Sequence, residues 1–452
     1  MWFSFKSAVI LHFLISLIRI GYILLNHLDL STEEAQYWLW SKYLDFSYYS
    51  KPPLIAYFNA ISTSILGDTE IGVRINAVLI SFGVGILFYL FGFFLFKDKK
   101  LAFFSSLFVL AVPAFEIASI IFLTDTPLLL FWVLTSFFFF RALDKNQKSD
   151  WLLTGIFGGL GFLSKYSMIF FFPIAIIYLF IFRREIFFNR WFYFSILIAS
   201  VFTLPIIIWN FQHDFVTFKH IAHLEGADIK QISLEKSLSY IAEYIGGQIL
   251  LNSIFLFPFF VYTFYKGAKN IKDAKIFYLW FPAVFVFLVF LYISFKKRVE
   301  ANWPAFAYAT FYLLTAFYIY KKRWFKSFFF GFLFSCFFII LFFYSPLIDK
   351  LGLTKIYPPE KDMTKRLVGW EDLGKKVSQI IEEKNLGKFF IFSDSYHIAS
   401  ELAFYVKGNP KTYCINLGRR MNQFDLWEGI EQFERKGYFG VFVSNNKIMK
   451  KH

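Results

Sequence analysis

Long apolar runs separated by short polar stretches make up most of this 452-residue chain. Crossing a bilayer core takes about 20 residues of helix. On that rule spans are predicted near 7–25, 72–96, 101–121, 126–141, 151–164, 166–182, 191–209, 241–265, 276–295, 303–320 and 327–345, about eleven in all. The fifth is short and glycine-rich, with Gly155, Gly158, Gly159 and Gly161. No small-residue cleavage pattern follows the first run, so it reads as a retained span and not as a signal peptide.

The polar stretches sort by charge. Loops 97–100, 141–150, 183–190, 266–275 and 321–326 are all basic and mark the cytoplasmic side. The opposite side then carries 29–53, 113–125, 164–167, 210–240, 296–302 and everything after 345, and an odd span count leaves the C-terminus outside. The tail has a different pattern. Leu373, Val377, Ile380 and Ile381 recur at helical spacing, 389–392 reads as a buried strand, and Asp394 or Ser395 can cap a helix running to about 406. Gly408-Asn409-Pro410 stops that helix, and 412–415 and 438–443 are further strands. The expected organisation is a polytopic α-helical membrane domain, 1–345, and a small extramembrane α/β domain, 346–452.

Composition agrees with a membrane chain. Hydrophobic residues make up 57%, aromatic 23% and charged only 17%, outside the range of soluble domains. A net charge of +15 in a soluble chain would suggest nucleic acid, but here the basic residues lie in loops that the positive-inside bias already explains. Nucleic acid is excluded as a partner on that ground. Cys336 lies in an apolar run and Cys414 in the tail, so the sequence implies neither a disulfide framework nor a thiolate metal site.

The most specific stretch is 29–53. It combines Glu33, Glu34, Asp45, Lys42 and Lys51 with Tyr37, Trp38, Trp40, Tyr43 and Tyr48 and ends in Pro52-Pro53. Carboxylates among amphipathic rings suit a site at the water–lipid boundary, where the polar head of a lipid-linked substrate is presented. With Glu33-Glu34-Ala35 before Tyr37-Trp38, then Tyr48-Tyr49-Ser50-Lys51-Pro52-Pro53-Leu54-Ile55-Ala56-Tyr57, and Gly67-Asp68 before Val73-Arg74, the segment resembles the first external loop of a GT-C glycosyltransferase family. That family holds the protein O-mannosyltransferases and the bacterial aminoarabinose transferases that modify lipid A. Its acidic pair is usually Asp-Glu, so Glu33 departs from it by one methylene. In the tail, Ser400-Glu401-Leu402-Ala403-Phe404-Tyr405 and Asn422-Gln423-Phe424-Asp425-Leu426-Trp427 resemble the extramembrane part of some bacterial members, as does Arg298-Val299-Glu300-Ala301-Asn302-Trp303-Pro304 before the tenth span.

The resemblance implies a GT-C fold and inverting transfer of a sugar from a polyprenyl-phosphate donor, which needs a carboxylate to take the acceptor's proton and cations for the departing phosphate. The family's motif gives the first role to Glu33, with Glu34 beside it. As plain sequence, both are equally first-turn carboxylates behind an N-cap at Ser31 or Thr32. Asp125, in Leu123-Thr124-Asp125-Thr126-Pro127, matches an acidic residue at the family's corresponding turn and is also placed to cap the next helix. Lys51, Arg74, Lys165 and Lys296-Lys297-Arg298 are cations on the outer side, against the general bias. A phosphate-binding role accounts for them, and snorkelling at helix ends is the alternative. Lys51 matches the family's Tyr-Tyr-x-Lys-Pro element, which brings in Tyr48 and Tyr49. Glu300 and Asn302 suit sugar hydroxyls or helix capping.

No organic cofactor is called for. A divalent metal stays open, because His213, His220, His223, Glu225 and Asp228 share one loop, although their spacing supplies no fixed third ligand. No glycine-rich phosphate loop is present, which disfavours a nucleotide-sugar donor. The expected function is transfer of one sugar to a lipid A-like lipid, a glycan or a protein at the outer face of a bacterial inner membrane. A transporter or flippase of a lipid-linked saccharide is the rival, but the paired repeats and midplane charges of that class are not evident, Arg19 being the exception.

Overall fold

The computed structural model describes residues 3–25, 28–225, 233–344 and 363–445, apart from the side chains of 223–225 and 363. In chain order its helices are α1 (Phe5–Leu24), α2 (Thr32–Ser41), α3 (Leu54–Leu66), α4 (Glu70–Phe96), α5 (Lys99–Phe108), α6 (Pro113–Ala118), α7 (Asp125–Lys145), α8 (Lys148–Ser164) and α9 (Phe171–Phe182). They continue with α10 (Arg190–Gln212), α11 (Val216–Glu225), α12 (Leu234–Leu251), α13 (Phe257–Lys269), α14 (Ala274–Ser294), α15 (Tyr308–Lys322) and α16 (Phe325–Phe343). The tail adds α17 (Trp370–Glu383), β1 (Phe389–Ser393), α18 (Tyr396–Tyr405), β2 (Thr412–Cys414) and β3 (Phe439–Val443).

Among the described residues six helices, α1, α4, α7, α10, α14 and α16, are long and apolar enough to cross a membrane. The other five predicted spans come out shorter or broken, and most of the breaks have a local cause. Residues 101–121 divide into α5 and α6 around a 3-10 turn, with Pro113 opening α6. Residues 241–265 part between α12 and α13, where Ser253 takes a positive φ of 71° and Pro258 lies in the first turn of α13. Pro304 precedes a 3-10 turn at Ala305–Ala307 that delays the start of α15. Residues 166–182 begin as a 3-10 turn before becoming α9, and α8 is only 17 residues long.

The chain divides into two compact units: 1–20, 77–120 and 124–343 in the first, 21–76, 121–123 and 344–452 in the second. Within the first unit the glycines of α8 are explained by packing. A Cβ on Gly155 would come within 2.5 Å of the Ser195 carbonyl oxygen, and one on Gly159 within 2.5 Å of the Phe202 ring. The glycine row therefore lets α8 and α10 approach backbone to backbone, the usual arrangement where helices associate in lipid.

In the second unit the tail does not stand apart from the first loop. Its three strands form a parallel sheet in the order β2-β1-β3. Val377 and Ile381 of α17 and Ile398 and Leu402 of α18 close over Ile391 of β1 to make one core. The other face of α18 makes a second core: Ala399, Ala403 and Phe404 pack with Leu30, Ala35, Trp38, Leu39, Val73 and Phe424. Phe404 meets the Trp38 ring edge to face at 4.9 Å. Polar ties follow the same seam. The Asp29 amide donates to the Leu367 carbonyl at 2.7 Å, its carboxylate accepts from the Trp370 amide at 2.6 Å, and the Tyr405 hydroxyl lies 2.5 Å from Glu70 Oε1 and accepts from the Leu30 amide at 2.7 Å.

One ion pair fixes the shape of the loop. Ser31 caps α2 with Glu34 at its third position in a reciprocal capping box. Glu34 is wholly buried and also accepts from Arg74 Nε and Nη2, both at 3.1 Å, and from the Phe122 amide at 2.9 Å. Arg74 spends its remaining reach on the carbonyls of Leu28 (2.7 Å) and Asp29 (2.6 Å). Nearby, Glu401 of α18 is 1% exposed and neither carboxylate oxygen has a hydrogen-bond partner among the described residues. Burial, reinforced by Glu34, Asp29 and Glu70 and opposed by Arg74, pushes its carboxyl well above the usual range, which favours the neutral form.

Two stability predictions follow from these groups. Arg74→Met leaves Glu34 as an uncompensated buried charge and should cost about 3–5 kcal/mol, while the double variant Glu34→Gln/Arg74→Met should recover much of that. Thermal unfolding of the detergent-solubilised chain measures both, and equal losses in single and double variants would show that the pair is not coupled. For Glu401 the raised folded-state value means that the folded form holds a proton the unfolded form releases. Its contribution is therefore complete below the ordinary carboxylate value and fades as pH rises through the raised one. Glu401→Gln should raise Tm more at pH 8 than at pH 5, and a uniform shift would contradict the neutral-acid assignment.

Candidate functional site

In the first unit three predicted residues meet. Asp125 opens α7, and Lys165 is the extended C-cap residue that ends α8. Lys165 Nζ lies 2.7 Å from Asp125 Oδ1, and Asn302 Nδ2 lies 3.2 Å from Asp125 Oδ2. Helix termini and the Pro304 turn thus deliver an acid, a base and an amide to one point from three distant parts of the sequence. Lys165 is nearly buried, with its ammonium oriented by a carboxylate whose two oxygens are both engaged. An ammonium held this way is suited to an incoming phosphate, since a partly desolvated charge loses less to water.

The rest of the 296–302 element is more open. Lys297 Nζ stands 5.8 Å from the Trp303 ring centroid. Arg298 is exposed and pairs with the equally exposed Glu243 at 3.3 Å, and Glu300 is exposed with its carbonyl accepting from the Trp303 amide at 3.1 Å.

In the second unit the loop 29–53 separates its predicted residues into two groups. Glu33, at the second position of α2, is exposed, and Lys51 is half-buried in the turn closed by the Tyr48 amide donating to the Lys51 carbonyl at 3.1 Å. Glu34, Arg74 and Tyr48 are instead structural, which corrects the roles expected of them. The lone pairs of Glu34 are committed to Ser31, Arg74 and Phe122, leaving it poorly placed to take a proton. Arg74, at 2% exposure, is enclosed and cannot meet a ligand phosphate. Tyr48 stacks on Trp40 with centroids 4.4 Å apart and donates its hydroxyl to the carbonyls of Trp40 and Tyr43. Tyr49 is largely buried, and its amide donates to Gln423 Oε1 at 2.7 Å.

Sequence reasoning missed the tail residues that approach this loop. Burial, and after it the Glu33 carboxylate, push the Tyr396 phenol up, so Tyr396 and Glu33 are close enough to interact. Burial likewise raises Tyr49, with Arg420 acting against it. No spacing in the sequence joins 396–425 to 33–49; only the tail's likeness to bacterial family members drew attention to that part. Among the described residues no group of three or more His, Cys, Asp and Glu is set to hold a metal. The side chains of His223 and Glu225, and all of Asp228, lie outside the described residues.

With this geometry in place, comparison with known proteins is informative. Residues 50–209 match the dolichyl-phosphate-mannose-protein mannosyltransferase family. A lipid A galacturonosyltransferase, RgtD of Rhizobium johnstonii, is 26% identical over 326 residues, 70% of this chain and 66% of that protein. An undecaprenyl phosphate-alpha-4-amino-4-deoxy-L-arabinose arabinosyl transferase of Proteus mirabilis is 25% identical over 210 residues, 43% of this chain and 38% of that protein. The matches thus span about two thirds and well under half of those relatives' lengths. The crystal structure of ArnT from Cupriavidus metallidurans bound to undecaprenyl phosphate superposes with a TM-score of 0.66 at 13% identity, covering 91% of this chain and 86% of that one. The fold is therefore that of the GT-C membrane glycosyltransferases, and the sequence matches support placing this chain in the superfamily that holds the protein O-mannosyltransferases and the lipid A aminoarabinose transferases.

Proposed function

We propose that this chain is an inverting glycosyltransferase of the bacterial inner membrane, moving one sugar from a polyprenyl-phosphate donor to an acceptor at the outer face, with a lipid A-like lipid as the first candidate and a glycan or protein as the others. The observation that carries the reading is the Lys165–Asp125–Asn302 group: a nearly buried ammonium aimed by a carboxylate that an amide also holds. The undecaprenyl phosphate bound to the fold relative and the lipid A and arabinosyl activities named for the sequence relatives support it.

In this reading the acceptor hydroxyl loses its proton to Glu33 as its oxygen attacks the anomeric carbon from the face opposite the phosphate. The anomeric C–O bond then breaks, and the electron pair leaves with the polyprenyl phosphate. Lys165 offsets the charge that grows on the leaving group, and Lys51 is given a phosphate contact by its match to the Tyr-Tyr-x-Lys-Pro element. Asp125, already engaged by Lys165 and Asn302, serves as an orienting carboxylate more readily than as a base. Lys297, Arg298 and Glu300 are assigned to the donor's polar head by the motif they share with Asn302, and Tyr49 to substrate by the Tyr-Tyr-x-Lys-Pro element. A phosphate acceptor is itself a nucleophile and needs no base, in which case Glu33 positions the acceptor. The tail, on this account, is periplasmic.

The flippase alternative draws on charge inside the spans, and here the structure adds to the sequence: Arg19 of α1 pairs with Glu116 of α6 at 2.7 Å, both largely buried. A closed pair between two helices is a strut and not a translocation path, so it leaves the transferase reading in front.

Transfer by the purified chain in liposomes, with donor and acceptor on the same side, tests the reading. Lys165→Ala should lower kcat roughly 100- to 1,000-fold, since the lost contact strengthens as the phosphate departs, and Lys51→Ala should also fall steeply. Parental rates in both would remove the cations from the mechanism. Glu33→Gln keeps the shape and discards the base, so with a hydroxyl acceptor the rate should drop roughly 100- to 10,000-fold while donor binding persists. Donor movement between leaflets without transfer to any acceptor would decide for the flippase.

A further inference from the structure

Two adjacent arginines follow β2, and they have different fates. Arg419 is fully occupied: Nη1 and Nη2 meet the Asp425 carboxylate at 2.7 and 3.0 Å, and further donors reach the carbonyls of Ile415 and Cys414. Asp425 in turn accepts from the Asn422 amide at 2.7 Å, the Asn422 side chain accepts from Phe424, and Phe424 is buried in the core shared with Trp38 and Ala35. Because Gln423 also takes the Tyr49 amide, the whole turn is braced against the first loop. Arg420 projects from this braced turn, is exposed, and its guanidinium makes no hydrogen bond or ion pair among the described residues. Its charge nevertheless acts on Tyr49 and on Tyr396, the same ring that responds to Glu33.

An arginine on a turn whose Phe424 packs against Ala35 and Trp38 of α2, the helix that carries Glu33, with its donors unspent among the described residues, is built to receive an anion. The surroundings say what kind. Leu417, on the same turn, is 71% exposed, and the first loop exposes Leu44 (57%) and Phe46 (53%). Gly418, at φ 93°, lets the chain reverse between Leu417 and the arginines. An exposed leucine three residues from a cation with no partner among the described residues matches an amphiphile, with an acyl chain for the first and a phosphate for the second. A soluble acidic peptide would use the charge and leave the leucines in water.

We propose that Arg420 is the acceptor-side anion contact, taking the phosphate of an anionic lipid acceptor and so holding the acceptor's reactive oxygen beside Glu33. This rests on the glycosyltransferase reading for its chemical consequence, but the binding itself does not. Arg419 is a positioning residue that fixes the turn.

The test uses the full chain in phosphatidylcholine liposomes with two acceptor probes, bis-phosphorylated lipid A and the same lipid after phosphatase treatment. Acceptor binding without donor, and acceptor KM and kcat with a panel of undecaprenyl-phosphate sugars, are measured together. Arg420→Ala should weaken binding and raise KM for the phosphorylated lipid about 10-fold, leave kcat near parental and leave the dephosphorylated lipid unaffected, with Arg420→Lys recovering part of the loss. Unchanged binding of the phosphorylated lipid, or equal loss for both probes, would overturn the proposal. So would an equal loss for phosphatidylglycerol vesicles lacking the acceptor, which would make Arg420 a general membrane contact. If the parent chain transfers no sugar but binds phosphorylated lipid A through Arg420, the anion contact stands and the transferase reading falls.

Discussion

The buried pair between Glu34 and Arg74 is the constraint on which the second unit is organised. Taking two charges out of water is costly unless their remaining lone pairs and protons are engaged, and here both Glu34 oxygens and four of the five Arg74 donors are, through the pair itself, Ser31, Phe122 and the carbonyls of Leu28 and Asp29. The pair sets the angle at which the chain enters α2 and ties it to the first turns of α4. It thereby decides which of two adjacent glutamates faces inward. Glu34 serves the fold, and Glu33, one residue away on the helix, is left in solvent. The division of labour between like side chains comes from helical geometry and one arginine.

A similar logic runs through the cations. Arg74 and Lys165 are both nearly excluded from water, yet among the described residues Lys165 is held by a single side-chain contact, at 2.7 Å from Asp125. Arg74 is held by four contacts and is closed. Arg419 and Arg420 repeat the contrast in the tail, where one is consumed by Asp425 and its neighbour is unspent. What separates these cations from one another is the number of donors already committed within the described residues.

Much of this was legible in the residues, and the failures have a common cause. The helix and strands of the tail could be read from Leu373, Val377, Ile380 and Ile381 and from the Gly408-Asn409-Pro410 stop, because periodicity and punctuation are local. The α2 cap at Ser31 was readable for the same reason. Hydropathy counted about eleven spans because it registers apolar content and cannot see that Ser253, Pro113 or Pro304 interrupts the hydrogen-bond ladder within a run. The Glu116 partner of Arg19 lay inside such a run and was overlooked. In the sequence Arg74 is an outer-side cation open to phosphate binding or snorkelling, because its partner Glu34 is 40 residues away and local pattern gives no measure of how many donors a distant neighbour will consume. Residues 396–425 and the first loop become neighbours only through tertiary structure.

That neighbourhood has a consequence for how the protein is made. The core around Trp38 is not complete until Ala399, Ala403, Phe404 and Phe424 arrive, more than three hundred residues later in synthesis. Until then the first loop presents Trp38, Leu39 and Leu30 unshielded, with Glu70 lacking its Tyr405 partner. Contacts of such sequence separation are slow to close and leave apolar surface exposed meanwhile. The first loop of this chain is therefore translated early and its core completed late, and a lesion at the far end of the gene acts on it as directly as one within it.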